Sequence, residues 1–164
     1  NLQYVKGSRS WISGPQGLPL FKPPYGRITA IDMNTGEHVW MVPNGVGPVD
    51  NPAIAHLNIE KLGVPGRPSP LLTKTLLFSG EGQTNQRRGG RIPFDMPIEI
   101  ATNSGGPMFR AYDKESGETL WEIELEAGTS GAPVSYMHEG EQYILVAIGD
   151  RVYSPELVAM KLKD

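Results

Sequence analysis

Two stretches of this chain repeat one pattern: Arg27–Trp40 reads RITAIDMNTGEHVW and Arg110–Trp121 reads RAYDKESGETLW. Aligned on Asp32 and Asp113, the two copies lie 113 − 32 = 81 residues apart. The other matched pairs are Ala30 with Ala111, Thr35 with Ser116, Gly36 with Gly117, Glu37 with Glu118, and Trp40 with Trp121. Self-similarity at a fixed spacing is typical of architectures built from repeated units.

Each copy has the pattern of a β-hairpin. Ile28, Ala30 and Asp32 alternate with the residues between them, which is the period of two that a strand requires. Gly36 or Gly117 then supplies the positive φ of a tight turn. We expect the aspartate before each turn to accept backbone N–H bonds across it, and each second strand to end at the tryptophan.

Other apolar segments separated by turn residues predict further strands. They are Leu71–Leu72, Leu76–Phe78, Gly131–Met137, Gln142–Ile148 and Leu157–Leu162. The best helical segment, Ile54–Leu62, has only one or two turns of helical spacing before Gly63. Four strands per unit is typical of a propeller blade, so we predict an all-β fold: a partial β-propeller of about two and a half four-stranded blades.

The strand order predicts a single partial propeller domain over residues 1–164. Its parts are an entry segment (1–26), a half blade (27–42), a complete blade (69–126) with an insertion (80–107), and a partial final blade (131–162). The insertion is polar and rich in glycine, and loops on a rigid scaffold are where binding residues collect. Its candidate polar residues are Gln83, Asn85, Gln86, Arg87, Arg88, Asp95, Glu99 and Asn103. The alternative for this segment is an exposed surface loop.

Composition excludes several classes of function. With a formal net charge of -3, the chain does not suit nucleic acid as a main partner, since its only basic cluster is Arg87, Arg88 and Arg91. The absence of cysteine excludes disulfides, thiolate metal sites and a cysteine nucleophile. No apolar run approaches the ~18 residues of a membrane span. Because the chain starts at Asn1 without a signal-peptide pattern, we expect a processing boundary or the cut edge of a longer protein.

Isolated reactive residues do not form recognisable sites. The three histidines, His38, His56 and His138, have no second ligand at metal-binding spacing. Ser104 and Ser130 lie beside glycines but outside a Gly-x-Ser-x-Gly pattern. Gly80-Glu81-Gly82 and Gly89-Gly90 lack the spacing of a phosphate-binding loop. We interpret Trp40 and Trp121 as packing residues and the repeat aspartates as turn caps.

The pattern Ala-x-Asp-x-x-(Thr/Ser)-Gly-Glu-x-x-Trp resembles the tryptophan-docking repeat of dehydrogenases that use pyrroloquinoline quinone (PQQ). The stretch Ala127–Gly149 is similar to the same family, and Lys22–Asp32 resembles its membrane-bound glucose dehydrogenase branch in particular. The resemblance extends from about Gly17 to the end, apart from the insertion, and it is more specific for the family than for an activity.

The resemblance implies a periplasmic eight-bladed propeller with PQQ on its axis beside Ca²⁺ or Mg²⁺. In that family an aspartate is the general base on a sugar or alcohol hydroxyl, hydride passes to the quinone, and electrons leave to ubiquinone or a cytochrome. The catalytic aspartate, the cofactor lysine and most metal ligands belong to earlier blades. We therefore expect no catalytic or metal-binding residue in this chain, and no PQQ bound by the chain alone.

Two departures from the family pattern concern the cofactor. The glucose-type branch has an acidic residue shortly before the Phe-Arg-Ala-Tyr strand, whereas this chain has Gly105, Gly106 and Pro107. Asn103 is the nearest polar candidate for a cofactor contact. The closing loop, Gly149–Glu156, is also shorter than the family's.

The sequence leaves three functions open. The first is the C-terminal part of a quinoprotein dehydrogenase for a sugar or alcohol, inactive alone. Its exposed blade edges would need the remaining blades or another copy of the chain. The second is a non-catalytic propeller segment serving as a binding or assembly scaffold, since fold alone does not decide function. The third is one piece of a split or cleaved protein.

Overall fold

The computed structural model describes residues 14–82, 105–150 and 153–161. Within these ranges the chain forms nine strands and two single 3-10 turns, Pro15–Gly17 and Ala55–Leu57. The strands are β1 (Arg27–Ile31), β2 (His38–Pro43), β3 (Leu71–Leu72), β4 (Leu76–Gly80), β5 (Met108–Asp113), β6 (Thr119–Glu124), β7 (Val134–His138), β8 (Glu141–Ile148) and β9 (Glu156–Lys161).

These strands form three antiparallel sheets. The first contains β1 and β2, the second has the order β3-β4-β5-β6, and the third has the order β7-β8-β9. In each sheet, strands that follow one another along the chain are neighbours, as in a propeller blade. The predicted all-β partial propeller is confirmed. No helix in the described ranges is long and apolar enough to cross a bilayer.

The repeat in the sequence is also a repeat in register. Ala30 pairs with Trp40 in the first sheet, and Ala111 pairs with Trp121 in the second. A register shift follows the alanine in both copies. The shared residues therefore specify two copies of one hairpin geometry, 81 residues apart in the chain.

The two hairpin turns are built alike. Gly36 and Gly117 have φ of 76° and 77°, a conformation that glycine adopts without steric cost. The N–H of each glycine donates to the carbonyl oxygen of the preceding aspartate. Asp32 Oδ1 accepts from the N–H of Asn34 (2.7 Å). Asp113 Oδ1 accepts from the N–H of Glu115 and from both the N–H and the hydroxyl of Ser116.

Trp40 joins the first sheet to the second. Its Nε1–H donates to the carbonyl oxygen of Lys114 at 3.0 Å. Its ring covers Gly117, where an added Cβ would lie 2.7 Å from a ring carbon. Trp121 occupies the equivalent position in the second copy and is 43% exposed. In the part of the chain that the structure describes, its indole N–H has no hydrogen-bond partner.

The main apolar cluster lies between the second and third sheets. Its buried members are Phe109, Leu125, Ala127, Val146 and Ile148. The backbone bridges the same gap, because Thr129 pairs with Ile148 and the N–H of Ser130 donates to the carbonyl of Ala147. Neighbouring sheets thus pack through their side chains as well as through Trp40.

The helical segment Ile54–Leu62 forms only one 3-10 turn, Ala55–Leu57. Asn58 ends the turn in a left-handed conformation, with φ of 50°. The segment belongs to a long excursion between β2 and β3, residues 44–70, which returns antiparallel to its own start. This excursion forms one side of the site described next.

Candidate functional site

The excursion after β2 is held together at its base. The N–H of Leu62 donates to the carbonyl of Val46, and the N–H of Val64 donates to the carbonyl of Asn44, both at 2.7 Å. Gly66 packs directly on the carbonyl oxygen of Glu81, leaving no room for a side chain there. The base of the excursion therefore lies against the end of β4.

Asn44, at the start of the excursion, connects it to the end of β4 and to β5 through side-chain hydrogen bonds. Its Nδ2 donates to the carbonyl of Gly80 at 3.0 Å, and its Oδ1 accepts from the Tyr112 hydroxyl at 3.2 Å. Both side chains are buried. Burial raises the pKa of Tyr112, although the Arg110 guanidinium opposes this change. The neutral phenol is therefore the form present, and it donates to the amide.

A buried ion pair connects the second sheet to the same place. Arg110 Nη1 donates to Glu81 Oε1 at 2.7 Å, and Arg110 Nε donates to Glu122 Oε2 at 3.0 Å. Arg110 is 3% exposed and Glu81 is 5% exposed, whereas the Glu122 side chain is about half exposed. Burial alone would lower the pKa of Arg110, but the hydrogen bond and charge of Glu81 outweigh it and raise that pKa. The guanidinium is thus held charged at the end of the sheet.

A cavity of about 230 Å³ opens beside this ion pair. It is lined by Val46, Gly47, Val64, Glu81, Gly105 and Met108. Most of these residues present apolar side chains or backbone, and Glu81 is the ionisable one. Its Oε2 lies so close to Gly106 that a Cβ at that position would overlap it. A glycine at 106 is what lets the carboxylate reach this position.

The glucose-type branch of the family has an acidic residue shortly before the Phe-Arg-Ala-Tyr strand, and Glu81 provides a carboxylate near that position. Positions 105–107 carry no acidic side chain, but a carboxylate occupies the space beside Gly106 all the same. It comes from the end of β4, on the neighbouring strand.

Most residues singled out from the sequence do not meet at a site. Asn103, Ser104 and the polar residues of the insertion from Gln83 onward lie outside the described residues, so the cofactor contact at Asn103 stays a prediction. Asp32 and Asp113 cap turns. In the described ranges, no three His, Asp or Glu side chains are grouped so as to hold a metal ion.

Sequence reasoning missed the roles of Asn44, Glu81 and Arg110. One signal was available: Arg110 interrupts the otherwise apolar run from Phe109 to Tyr112. A charged side chain in a buried strand requires a partner, because an unpaired buried charge is strongly unfavourable. The identity of that partner depends on the pairing of β4 with β5, in which Ser79 faces Arg110.

The described lining of this cavity does not fit PQQ. The cofactor is a tricarboxylate, so its site must supply cations or hydrogen-bond donors. Among the described residues, Arg110 is the one cation beside this cavity, and Glu81 and Glu122 already share it. A further carboxylate would meet the Glu81 carboxylate in a buried setting, which is repulsive.

The family model and the relatives that match this chain all belong to the quinoprotein dehydrogenases. A model of the PQQ glucose/ethanol/alcohol dehydrogenase β-propeller domain matches residues 2–144. The quinate/shikimate dehydrogenase (quinone) of Acinetobacter baylyi is 32% identical over 85% of this chain and 15% of its own length. Quinoprotein glucose dehydrogenase A of Acinetobacter calcoaceticus is 29% identical over 82% of this chain and 14% of its length. The quinoprotein glucose dehydrogenase of Escherichia coli K12 is 30% identical over the same shares. The chain thus spans about one seventh of the length of these relatives.

Proposed function

The chain belongs to the PQQ-dependent glucose/ethanol/alcohol dehydrogenase β-propeller family, and we propose that it forms part of the propeller ring of a quinoprotein dehydrogenase that oxidises a sugar, polyol or alcohol. The observation that carries this proposal is the family match over residues 2–144. The substrate class is supported by relatives named for quinate or shikimate, for glucose and for glycerol, which are all polyhydroxylated compounds.

Within that enzyme the role of this segment is structural. Its sheets pack through Trp40 and the apolar cluster around Phe109, and such rigid packing holds loops in fixed positions around a ring. PQQ, with Ca²⁺ or Mg²⁺, would supply the hydride chemistry in the full-length protein. Because the chain spans only about one seventh of the length of its quinoprotein relatives, we propose that it is inactive alone.

The proposed partners are the remaining blades or a second copy of this chain. Support comes from the incomplete sheets: β1 and β9 each lie at the end of a sheet with fewer than four strands. We propose the periplasm as the location, on the basis of the family resemblance. We also propose the division into a half blade (27–42), a complete blade (69–126) and a partial blade (131–162).

Dye-reduction assays test the enzymatic proposal. In a full-length protein that contains this segment, PQQ and Ca²⁺ should support dye reduction with at least one of glucose, glycerol and quinate. Failure with all three substrates, at full PQQ occupancy, would contradict the substrate class. The 164-residue chain given the same additions should show no turnover. Turnover by that chain would contradict its proposed inactivity.

The alternative is a non-catalytic scaffold, since fold alone does not decide function. Retention of PQQ separates the two functions. A dehydrogenase should keep the absorbance of the bound quinone through gel filtration, whereas a scaffold should elute without it.

A further inference from the structure

Asn44 and Gly45, at the start of the excursion after β2, form an Asn-Gly pair, and no other asparagine in the sequence is followed by glycine. We propose that this pair is a site of spontaneous deamidation that the fold suppresses, and that deamidation at Asn44 releases the excursion from the end of β4. The reaction involves two residues of this chain and no cofactor, so it stands apart from the proposed dehydrogenase function.

The reaction needs only water as a co-reactant. The main-chain nitrogen of Gly45 attacks Cγ of Asn44, a C–N bond forms, the bond from Cγ to Nδ2 breaks, and ammonia leaves. Water then opens the five-membered imide at either carbonyl, which yields aspartate or isoaspartate at position 44. No atom is oxidised or reduced. Glycine hinders the attack least, because it has no side chain beside the attacking nitrogen.

The folded structure holds the Asn44 side chain away from this reaction. Its Nδ2 donates to the carbonyl of Gly80 at 3.0 Å, and its Oδ1 accepts from the Tyr112 hydroxyl at 3.2 Å. The side chain must leave both partners before it can turn back onto the Gly45 nitrogen. Asn44 is also only 3% exposed, which limits the access of water. Deamidation therefore requires the base of the excursion to open locally.

An aspartate at position 44 cannot restore these contacts. An ionised carboxylate accepts hydrogen bonds and donates none, so it would face the carbonyl oxygen of Gly80 with no hydrogen between them. The Tyr112 hydroxyl could still donate to it, but one neutral donor compensates a buried charge poorly. The aspartate product should therefore weaken the attachment of the excursion to β4.

An isoaspartate changes the main chain itself, because it inserts a methylene group between residues 44 and 45. The N–H of Asn44 donates to the carbonyl of Gly26, and the carbonyl of Asn44 accepts from the N–H of Val64. Gly45 is packed so closely that an added Cβ would lie 2.6 Å from the Val64 side chain. A longer main chain cannot keep these hydrogen bonds and this contact together, so the isoaspartate product should also release the excursion.

Peptide mapping by mass spectrometry measures the reaction in the 164-residue chain at mildly alkaline pH, where attack by the main-chain nitrogen is faster. The Asn44 peptide should convert at least about tenfold more slowly in buffer than in concentrated guanidinium chloride, because two hydrogen bonds must first be broken. Asn34, exposed in the β1–β2 turn and followed by Thr35, is the reference and should convert at similar rates in both. Equal rates at Asn44 in buffer and in denaturant would overturn the proposal.

Tyr112→Phe tests whether the hydrogen bonds of Asn44 are what slows the reaction. This variant keeps the ring and removes the donor, so conversion of Asn44 should be about threefold faster or more in buffer and unchanged in denaturant. Tyr136→Phe removes the hydroxyl of a partly exposed tyrosine on β7 and is the matched control, with the rate of the parent expected. The same rate in Tyr112→Phe as in the parent would contradict the proposal.

Asn44→Asp supplies the aspartate product directly and tests the release. Hydrogen exchange should be faster at the amides of Leu62 and Val64, which donate to the base of the excursion. The effect should shrink as the pH falls toward about 4, because a protonated carboxyl can again donate to Gly80. Asn58→Asp, the same change at an exposed position of the excursion, is the matched control and should leave both amides as in the parent.

Unchanged protection of both amides in Asn44→Asp at neutral pH would show that deamidation does not release the excursion. If Asn44→Asp does not fold, the same amides are measured in the deamidated fraction of the parent chain. The rates in Tyr112→Phe decide the first half of the proposal in either case. All of these readouts are independent of turnover, so none of them bears on whether the full-length protein is a dehydrogenase.

Discussion

Gly117 lies at the contact between two sheets, and its counterpart Gly36 does not. Both have a φ near 77°, so an alanine at either position incurs the same backbone strain, about 1 kcal/mol. An added Cβ at Gly117 would also strike the Trp40 ring, whereas nothing lies within 4 Å of one at Gly36. We expect Gly117→Ala to lower the free energy of unfolding by about 1 kcal/mol or more beyond Gly36→Ala. Urea denaturation measures both, and equal losses would show that Trp40 does not hold the sheets together.

Asp113 should link stability to pH. Hydrogen bonds from the backbone N–H and the hydroxyl of Ser116 lower its pKa, with a smaller contribution from the Glu115 N–H. A carboxylate with a lowered pKa stabilises the fold fully above its unfolded pKa, and this contribution is lost as the pH falls through the folded value. Between about pH 5 and pH 3, Asp113→Asn should therefore lose less stability than the parent.

Asp32→Asn is the matched control for this change. Asp32 occupies the same turn position but accepts a single hydrogen bond from the backbone N–H of Asn34. Asparagine retains an Oδ1 acceptor, so both variants keep the turn and lose only the charge. Urea denaturation at the two pH values should separate them. If the two variants have the same pH profile, the Ser116 hydrogen bonds are not the cause.

Among the described elements, the β7–β8 hairpin has a tight turn that its sequence does not favour. Its two central residues, Glu139 and Gly140, have φ of 51° and 84°. Two positive φ values define a type I′ turn, for which Asn-Gly is preferred. Glu139→Asn should raise the free energy of unfolding by about 0.5 kcal/mol, because asparagine tolerates this conformation better. The gain should appear as a higher urea midpoint.

Glu139→Gln separates backbone conformation from charge in this turn. Glutamine keeps the poor backbone preference of glutamate and removes the carboxylate, whose Oε1 lies 4.0 Å from Nε2 of the exposed His138. Such surface pairs contribute little, so this variant should match the parent in stability. A gain in Glu139→Gln as large as that in Glu139→Asn would mean that charge, and not φ, is responsible.

The hairpins were predictable because their determinants are local. Alternation from Ile28 to Asp32, the turn at Gly36 and the terminal Trp40 all lie within 13 residues, and the structure keeps them in register. The site was not predictable in the same way. Glu81 and Arg110 are 29 residues apart, and Asn44 and Tyr112 are 68 apart. These contacts form only because the excursion after β2 folds back on the end of β4. No short sequence pattern encodes that packing.

In the molecule as a whole, apolar side chains are exposed on the strands where a propeller ring would add further blades. Every residue of β7, the first strand of the third sheet, is exposed, and on β9, the last strand, Leu157 is 70% exposed. Trp121 is likewise half uncovered, although its counterpart Trp40 contacts the neighbouring sheet. Trp40 is covered because a second sheet packs beside the first, and Trp121 is half exposed because no described sheet packs on it. Each sheet of this kind therefore needs another sheet beside it.

Among the described strands, β9 pairs only with β8, and we expect its other edge to make the isolated chain associate with a second copy. An end strand with exposed apolar side chains is a template for further strand pairing, and a lysine on such a strand opposes it. Leu157→Lys should therefore reduce the rise of sedimentation coefficient with protein concentration that we expect for the parent. Met33→Lys is the matched control, because Met33 is more exposed still but lies in the turn between β1 and β2. A parent that stays monomeric at all concentrations would contradict this prediction, and so would equal effects of the two lysines.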